Sequence, residues 1–388
     1  MQIRKKIRGI MMAFGLIMIL IYIIADCRYI SDRHVIAAGK ITHLQEVIET
    51  EKLWIKSNQS TDGYIYMNAS SDQQKSREIN PYFACQAVRG LLAGDVSASD
   101  MTAAEQYINW QIRMIIEQNG VITNYSEADG KLNSTGSADS VDAYIAVFLD
   151  LTGRYIKAGG NIDHLQNLDT ALTLCSEELK KILNNGMTAV SETNKTVYLM
   201  DNAELYEGCR QISSMLKGNG GKYAELAAWY GKTADECKRK INASLWNQKE
   251  KRYEVGINPD GSKLEFQGWD VFYPDAIAQI YPYICGVQKK SEAIDLYQRI
   301  CQQYDWQHLQ IPGEEFEWPE LAYAATLCGD PERAELYVDE FENKYAVQRK
   351  YPLHTANAGW VAISGSHMIS EYHQWENRGI IQSLFIRS

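Results

Sequence analysis

Two kinds of helical segment alternate along this chain, and that alternation constrains its fold more than any other feature. Residues 34–56, 101–118, 162–183, 222–246, 291–304 and 331–345 carry apolar side chains at intervals of three and four, with charges opposite. Between them lie more uniformly apolar segments, 82–93, 141–151, 203–216, 273–285, 318–328 and 360–372. Several of these end on glycine, as in Leu92-Ala93-Gly94, Leu151-Thr152-Gly153, Cys285-Gly286 and Cys328-Gly329, the residue expected just past a helix end. Amphipathic and buried helices repeating at roughly 50 residues imply stacked helical hairpins. A linear stack needs polar capping repeats, and neither end of this sequence supplies one. Closing six hairpins into a ring places the second set inside the first, so the expected fold is an all-α (α/α)6 toroid. Strand signals are confined to 196–200 and 252–257, which suit small hairpins in loops. With no Pro- or Ser-rich linker inside it, residues 35–388 read as one domain.

The N-terminus suggests the compartment. Arg4, Lys5, Lys6 and Arg8 precede seventeen uncharged residues, 9–25 (GIMMAFGLIMILIYIIA). That length is near the lower limit for a spanning helix, and the basic flank predicts an N-terminus left in the cytoplasm. The expected layout is a cytoplasmic tail at 1–8, a signal anchor at 9–25, a linker at 26–34 and an extracytoplasmic body. A cleaved signal peptide is the rival reading, but Ala25-Asp26-Cys27-Arg28 lacks a small-x-small cleavage site. Asp26 likewise argues against lipidation of Cys27. The chain's net charge is −10, and −14 without those four basic residues. Such an acidic body, with no basic stripe, excludes nucleic acid as an expected partner.

Cys85, Cys175, Cys209, Cys237, Cys285, Cys301 and Cys328 are scattered through apolar stretches without a CxxC pair, so they read as small buried hydrophobes rather than a disulfide framework. His367 and His373 lie six apart, off any shared helix face, and no metal site or other cofactor is expected.

The loops that lead into the apolar segments hold acids and aromatics. They carry Glu78 and Tyr82; Asp139 and Asp142; Tyr198 and Asp201; Trp269, Asp270, Tyr273 and Asp275; and Glu314, Glu315 and Trp318. Any one acid at a helix start is accounted for by capping and the helix dipole, and the rings by packing between helix ends. In a ring, however, all inner-helix N-termini open on one face, and acids from different hairpins converge there. The chain has 24 Tyr and 9 Trp against 8 Phe, a bias toward rings with a polar edge. Carboxylates across a cleft lined with such rings are what hydrolysis of a glycosidic bond requires: rings hold sugar faces, one carboxyl protonates the leaving oxygen, another activates water.

The stretch EINPYFACQAV at 78–88 resembles the acid-bearing segment of glycoside hydrolase family 8, in which Ser-Glu-Gly-x-Gly-Tyr precedes an apolar helix. Arg77 stands where that family has Ser, and Ile79, Asn80 and Pro81 replace its flexible residues. Residues 138–146, ADSVDAYIA, are similar to its Ala-Ser/Thr-Asp-Ala/Gly-Asp-x-x-Ile-Ala segment, with Ser140 at the first Asp and Asp139 beside it. NGVITNY at 119–125 resembles the loop between those segments, and YPDAI at 273–277 the Tyr-Asp-Ala segment that bears the base, although the family's Arg is here Ala278 and a nearby Pro is shifted to Pro282.

The resemblance covers about residues 70 to 340. It implies an endo-acting, inverting hydrolase of a β-linked glucan or related exopolysaccharide, membrane-anchored beside the synthesis and secretion machinery. By the same resemblance Glu78 is the general acid and Asp275 the base, with Asp201 and Asp270 behind it. Asp139 or Asp142 contacts the sugar spanning the cleavage point, and Tyr82, Asn124, Tyr125, Tyr198, Trp269, Tyr273 and Trp318 form the substrate cleft. Two alternatives stand: a lapsed toroid that only binds glycan in a secretion complex, and a uronate-directed hydrolase or lyase, for which His354 is the candidate base.

Overall fold

A computed structural model describes residues 2–69, 76–345, 348–350 and 352–379, with side chains in the first ten residues described only for Lys6. The chain forms an all-α toroid. Its inner ring is α2 (Pro81–Leu91), α4 (Val141–Lys157), α6 (Leu199–Lys217), α8 (Tyr281–Ile284), α10 (Glu320–Cys328) and α12 (Thr355–Glu376). Around it run α1 (Gln2–Ser57), α3 (Ala98–Glu117), α5 (Leu168–Ile182), α7 (Ala224–Ser244), α9 (Lys290–Gln303) and α11 (Pro331–Tyr345). Each inner helix packs on the next, and α12 returns to α2, closing the ring.

The two helix classes bury different faces, as their sequences require. Helix α7 buries one stripe, Ala227, Tyr230, Ala234, Cys237 and Ile241, at the three-four spacing of a surface helix. Helix α4 buries an unbroken run from Asp142 to Gly153. Ring closure depends on bare backbone: a Cβ on Gly90 would stand 2.4 Å from the Gly359 Cα, so α2 and α12 cross where neither has a side chain.

Two expectations are corrected. Gly153 does not end α4, which runs on to Lys157; the residue lies against Gln211, where a Cβ would meet Cγ at 2.8 Å, so it is small for packing rather than for capping. Gly286 (φ +81°) and Gly329 (φ +80°) do follow helix ends in the left-handed region. The segment 273–285 is not one helix: a π-turn at Phe272–Ala276 precedes the single turn of α8, with Pro274 and Pro282 removing backbone donors. Val197–Tyr198 pairs with Gly256–Ile257, as the strand signals suggested, while the sheet of β1 (Arg77–Ile79), β2 (Tyr125–Ala128) and β3 (Lys131–Ser134) had no clear signal.

All eight cysteines are free, and six are buried; burial pushes the Cys85 and Cys328 thiols up to about 12. Helix α1 is continuous from the apolar N-terminal stretch into the outer ring, so 26–34, expected as a linker, is helical. The side chains of Arg4, Lys5 and Arg8 and residues 380–388 of the expected domain lie outside the described residues.

Candidate functional site

Inner-helix N-termini share one face of the toroid, and the acids in the preceding loops are brought to it. At the start of α4 the Ser140 hydroxyl sits between two carboxylates, 2.5 Å from Asp142 Oδ1 and 2.7 Å from Asp201 Oδ2 at the start of α6. Asp142 is fully buried; its other oxygen accepts from Thr188 Oγ1 at 2.7 Å, and Oδ1 also accepts the Ala143 N–H at 3.1 Å. A hydroxyl has one proton, so two such contacts to carboxylates require a second proton on one carboxyl. Burial, followed by the Asp142 charge, pushes Asp201 up to about 8, against the lowering hydrogen bond from Ser140; burial also raises Asp142. Asp201 therefore holds a proton at neutral pH. Asp139, next to Ser140, is exposed and contributes to the raising charge on Asp201.

Beside this pair lies a second layer. Tyr82 Oη donates to Glu204 Oε1 at 2.7 Å, and burial holds Glu204 well above the usual carboxyl range. Tyr82 packs against Tyr144 (5.8 Å between centroids), whose hydroxyl donates to Asn124 Oδ1 at 2.8 Å. Burial raises Tyr273 to about 12, with further raising from the charges of Asp201 and Asp139 and from Tyr198, which places all three around it. The Tyr273 ring is 55% exposed and stacks on Trp318 at 5.7 Å and 27°, an aromatic pair open to solvent beside the acids.

Glu78 reaches the same face on β1. Side chains alternate along a strand, and here the alternation separates Glu78 from its neighbours. Arg77 turns away, its guanidinium carbon 3.3 Å from the Tyr66 ring centroid and its Nη2 donating to Asn58. Ile79 is buried and Glu78 is exposed, in a pocket of about 250 Å³ lined also by Asn80, Asn124 and Ser137.

Other expected residues have different surroundings. Asp275 is 1% exposed and its Oδ2 accepts the Gln267 and Gly268 N–H groups at 2.6 and 3.1 Å, holding the preceding loop. Tyr125 is buried, edge-on to Trp110, with its hydroxyl 2.5 Å from Gln118 Nε2. Trp269 packs between Phe266 and Arg299, and Asp270 is exposed. Glu314 accepts from Trp318 Nε1 at 3.1 Å. His354 is buried 4.4 Å from the Phe83 ring and held down to about 3, which leaves it neutral.

Glu204 and Glu320 were not anticipated. Glu204 follows Asp201 by three positions, one helical turn, the only signal in the sequence that could have singled it out. Burial raises Glu320 to about 7. Deeper in the ring, Arg89 and Arg154 pair with Asp150 (3.4 and 2.6 Å) and Glu207; burial alone would raise Asp150, but the two guanidiniums hold it below its ordinary value. Among the described residues no group of three His, Cys, Asp or Glu side chains is placed to hold a metal ion.

No family model and no curated protein matches the chain. Solved structures do share its fold. A structure described as a novel alpha-amylase from Clostridium perfringens is 14% identical with TM-score 0.54, covering 82% of this chain and 97% of its own. A glycosidase variant is 12% identical with TM-score 0.56 (87% and 98% covered), and another, in complex with glucose, is 11% identical with TM-score 0.54 over the same shares. The toroid is thus the fold of known glycosidases.

Proposed function

We propose that this protein is a glycoside hydrolase acting on a polysaccharide, with its cleft at the inner-helix N-termini. The observation that carries this reading is the Asp142–Ser140–Asp201 triad: it keeps a proton on Asp201 at neutral pH, within the surroundings of an open aromatic pair and exposed carboxylates. A glycosidase needs one carboxyl protonated and another available to water. Asp201 fills the first role. Glu78 fills the second, with Asp139 touching the sugar at the cleavage point and Asp142, out of substrate's reach, positioning Asp201. Tyr273 and Trp318 hold a sugar face. This reverses the roles that the family 8 resemblance implies for Glu78, and it leaves Asp275 to support the 266–271 loop.

The finer reading is an endo-acting, inverting enzyme on a β-linked glucan or exopolysaccharide. Inversion needs the acid and base carboxyls roughly 6.5–9.5 Å apart, with water between them. The large side chains of α1 from Met11 to Ile24 are apolar and exposed, and α1 is long and apolar enough to cross a membrane, which supports a membrane anchor. The basic residues that precede it favour a toroid outside the cell.

Substrates with different leaving groups test the assignment. An oligosaccharide bearing an activated aryl leaving group needs no acid for departure. Asp201→Asn is therefore expected to retain turnover of that substrate while losing polymer hydrolysis, and Glu78→Gln to lose both. Loss of both in Asp201→Asn, with Glu78→Gln retaining the aryl substrate, reverses the two roles.

A further inference from the structure

Helix α1 does two jobs without a break. Its N-terminal part presents Met11, Met12, Phe14, Leu16, Ile17 and the following residues to Ile24 as exposed apolar side chains that nothing in the described chain covers. Its C-terminal part is an outer helix of the toroid, burying Ala37, Leu44, Val47 and Ile55. No flexible segment separates the two.

The junction is fastened to the end of α12. Arg33 donates to the carbonyls of Trp375 (3.1 Å) and Arg378 (3.2 Å), in the last turn of α12 and just past its end. Its guanidinium carbon lies 4.2 Å from the Trp375 ring centroid and 4.6 Å from that of Tyr29. His34 meets Glu376 at 3.1 Å, and Lys40 meets the Tyr372 hydroxyl at 3.2 Å. Further along, Ile48 lies against Gly365, and beyond the end of α1 the Met67 carbonyl accepts the Thr355 N–H at 2.8 Å. This register makes α1 and α12 antiparallel. The C-terminal end of α12 therefore faces the apolar span, while its N-terminal end, at Thr355, faces the cleft.

From these contacts we infer that α1 is a rigid strut that holds the cleft on the side of the toroid away from the bilayer, so the enzyme takes polymer already clear of the membrane rather than sugar still linked to lipid at its surface. From Asp26 to Ser57 a helix rising about 1.5 Å per residue gives a stand-off of about 45 Å. Tyr29, Arg33 and Trp375 form the collar at the lipid boundary, where aromatic rings with a polar edge and long basic side chains are favoured. The inference rests on the anchor proposed above but not on the assignment of catalytic roles.

The test uses the full chain in lipid vesicles with a headgroup-bound energy acceptor. In a Cys27→Ser background, a donor dye goes on Glu192→Cys, in the loop leading to α6 at the cleft, or on Asn219→Cys, in the loop after α6 at the other end. Strong transfer from position 219 and weak transfer from 192 is expected, and a flexible Gly/Ser insertion between Ala25 and Asp26 should abolish the difference. Equal transfer from both positions in the uninterrupted chain overturns the strut. A chain that alkaline washing frees from the vesicles overturns it by another route, by removing the anchor itself, and the two failures are distinguished by where the protein is recovered.

Discussion

Asp142 and Asp201, from successive inner helices, face each other across a single hydroxyl, that of Ser140, at 2.5 and 2.7 Å. The arrangement needs more protons than Ser140 alone supplies, and Asp201 keeps one up to about pH 8. A resemblance that places Asp at position 140 would put a third carboxylate here; Ser140 instead provides a neutral bridge between two.

The alkaline limb of the pH–activity profile should follow this pair. The acid must be protonated, so activity is lost as pH rises through the Asp201 value of about 8. Asp142→Asn removes a raising charge and should move that limb to lower pH. Ser140→Ala removes a lowering hydrogen bond and should move it to higher pH. Initial rates from pH 5 to 10 check both; shifts in the same direction contradict the coupling.

Stability should respond to the same group. An aspartate in the unfolded chain titrates near 3.9, whereas Asp201 in the fold titrates at about 8, so between those values the folded state binds the extra proton. Unfolding free energy then falls as pH rises through that window and levels off above it. Asp201→Asn should flatten this slope and, above pH 8, stabilise the protein on the order of 2 kcal/mol, discounted for relaxation of the pair. Urea unfolding at pH 5 and 9 measures it.

The two kinds of helix were legible because buried and half-buried helices differ in apolar periodicity, and glycines after α8 and α10 marked their ends. Gly153 was not legible as a packing residue, since a glycine in an apolar run looks the same whether it caps a helix or receives Gln211. Among the acids, sequence brought Glu78, Asp139, Asp142 and Asp201 to one face but left open which contacts sugar. Burial separates them: Asp142 is enclosed by Ser140 and Thr188, while Asp139 is exposed. Asp275 looked like its neighbours because nothing in sequence shows that two amides eight and seven residues upstream turn back to it.

The stack of Tyr273 on Trp318 should act in binding rather than in the chemical step. An aromatic contact of this kind is worth about 0.5–1.5 kcal/mol, so Trp318→Ala should raise KM for polymer by about tenfold at most and leave kcat within about twofold. A fall in kcat with KM unchanged would place the ring among the reacting groups.

Ring closure at Gly90 and Gly359 allows no added carbon, because the new Cβ of Gly90→Ala meets Gly359 Cα at 2.4 Å. The inner helices must separate, costing about 1–3 kcal/mol by overpacking. Thermal unfolding should show a lowered Tm in Gly90→Ala and no such loss in Gly39→Ala, on the exposed face of α1, where an added carbon meets open space and the backbone is already helical.

The most direct measurement is release of reducing ends from mixed-linkage β-glucan, carboxymethyl cellulose, chitosan and the host's own secreted polysaccharide, by the wild-type chain, Asp201→Asn and Glu78→Gln. The expected result is turnover of at least one polymer that falls by about 100-fold or more in both variants, the scale of a lost acid or base. Polymer bound equally by all three proteins with no ends released by any, or turnover unchanged in both variants, contradicts a hydrolase built on these carboxylates.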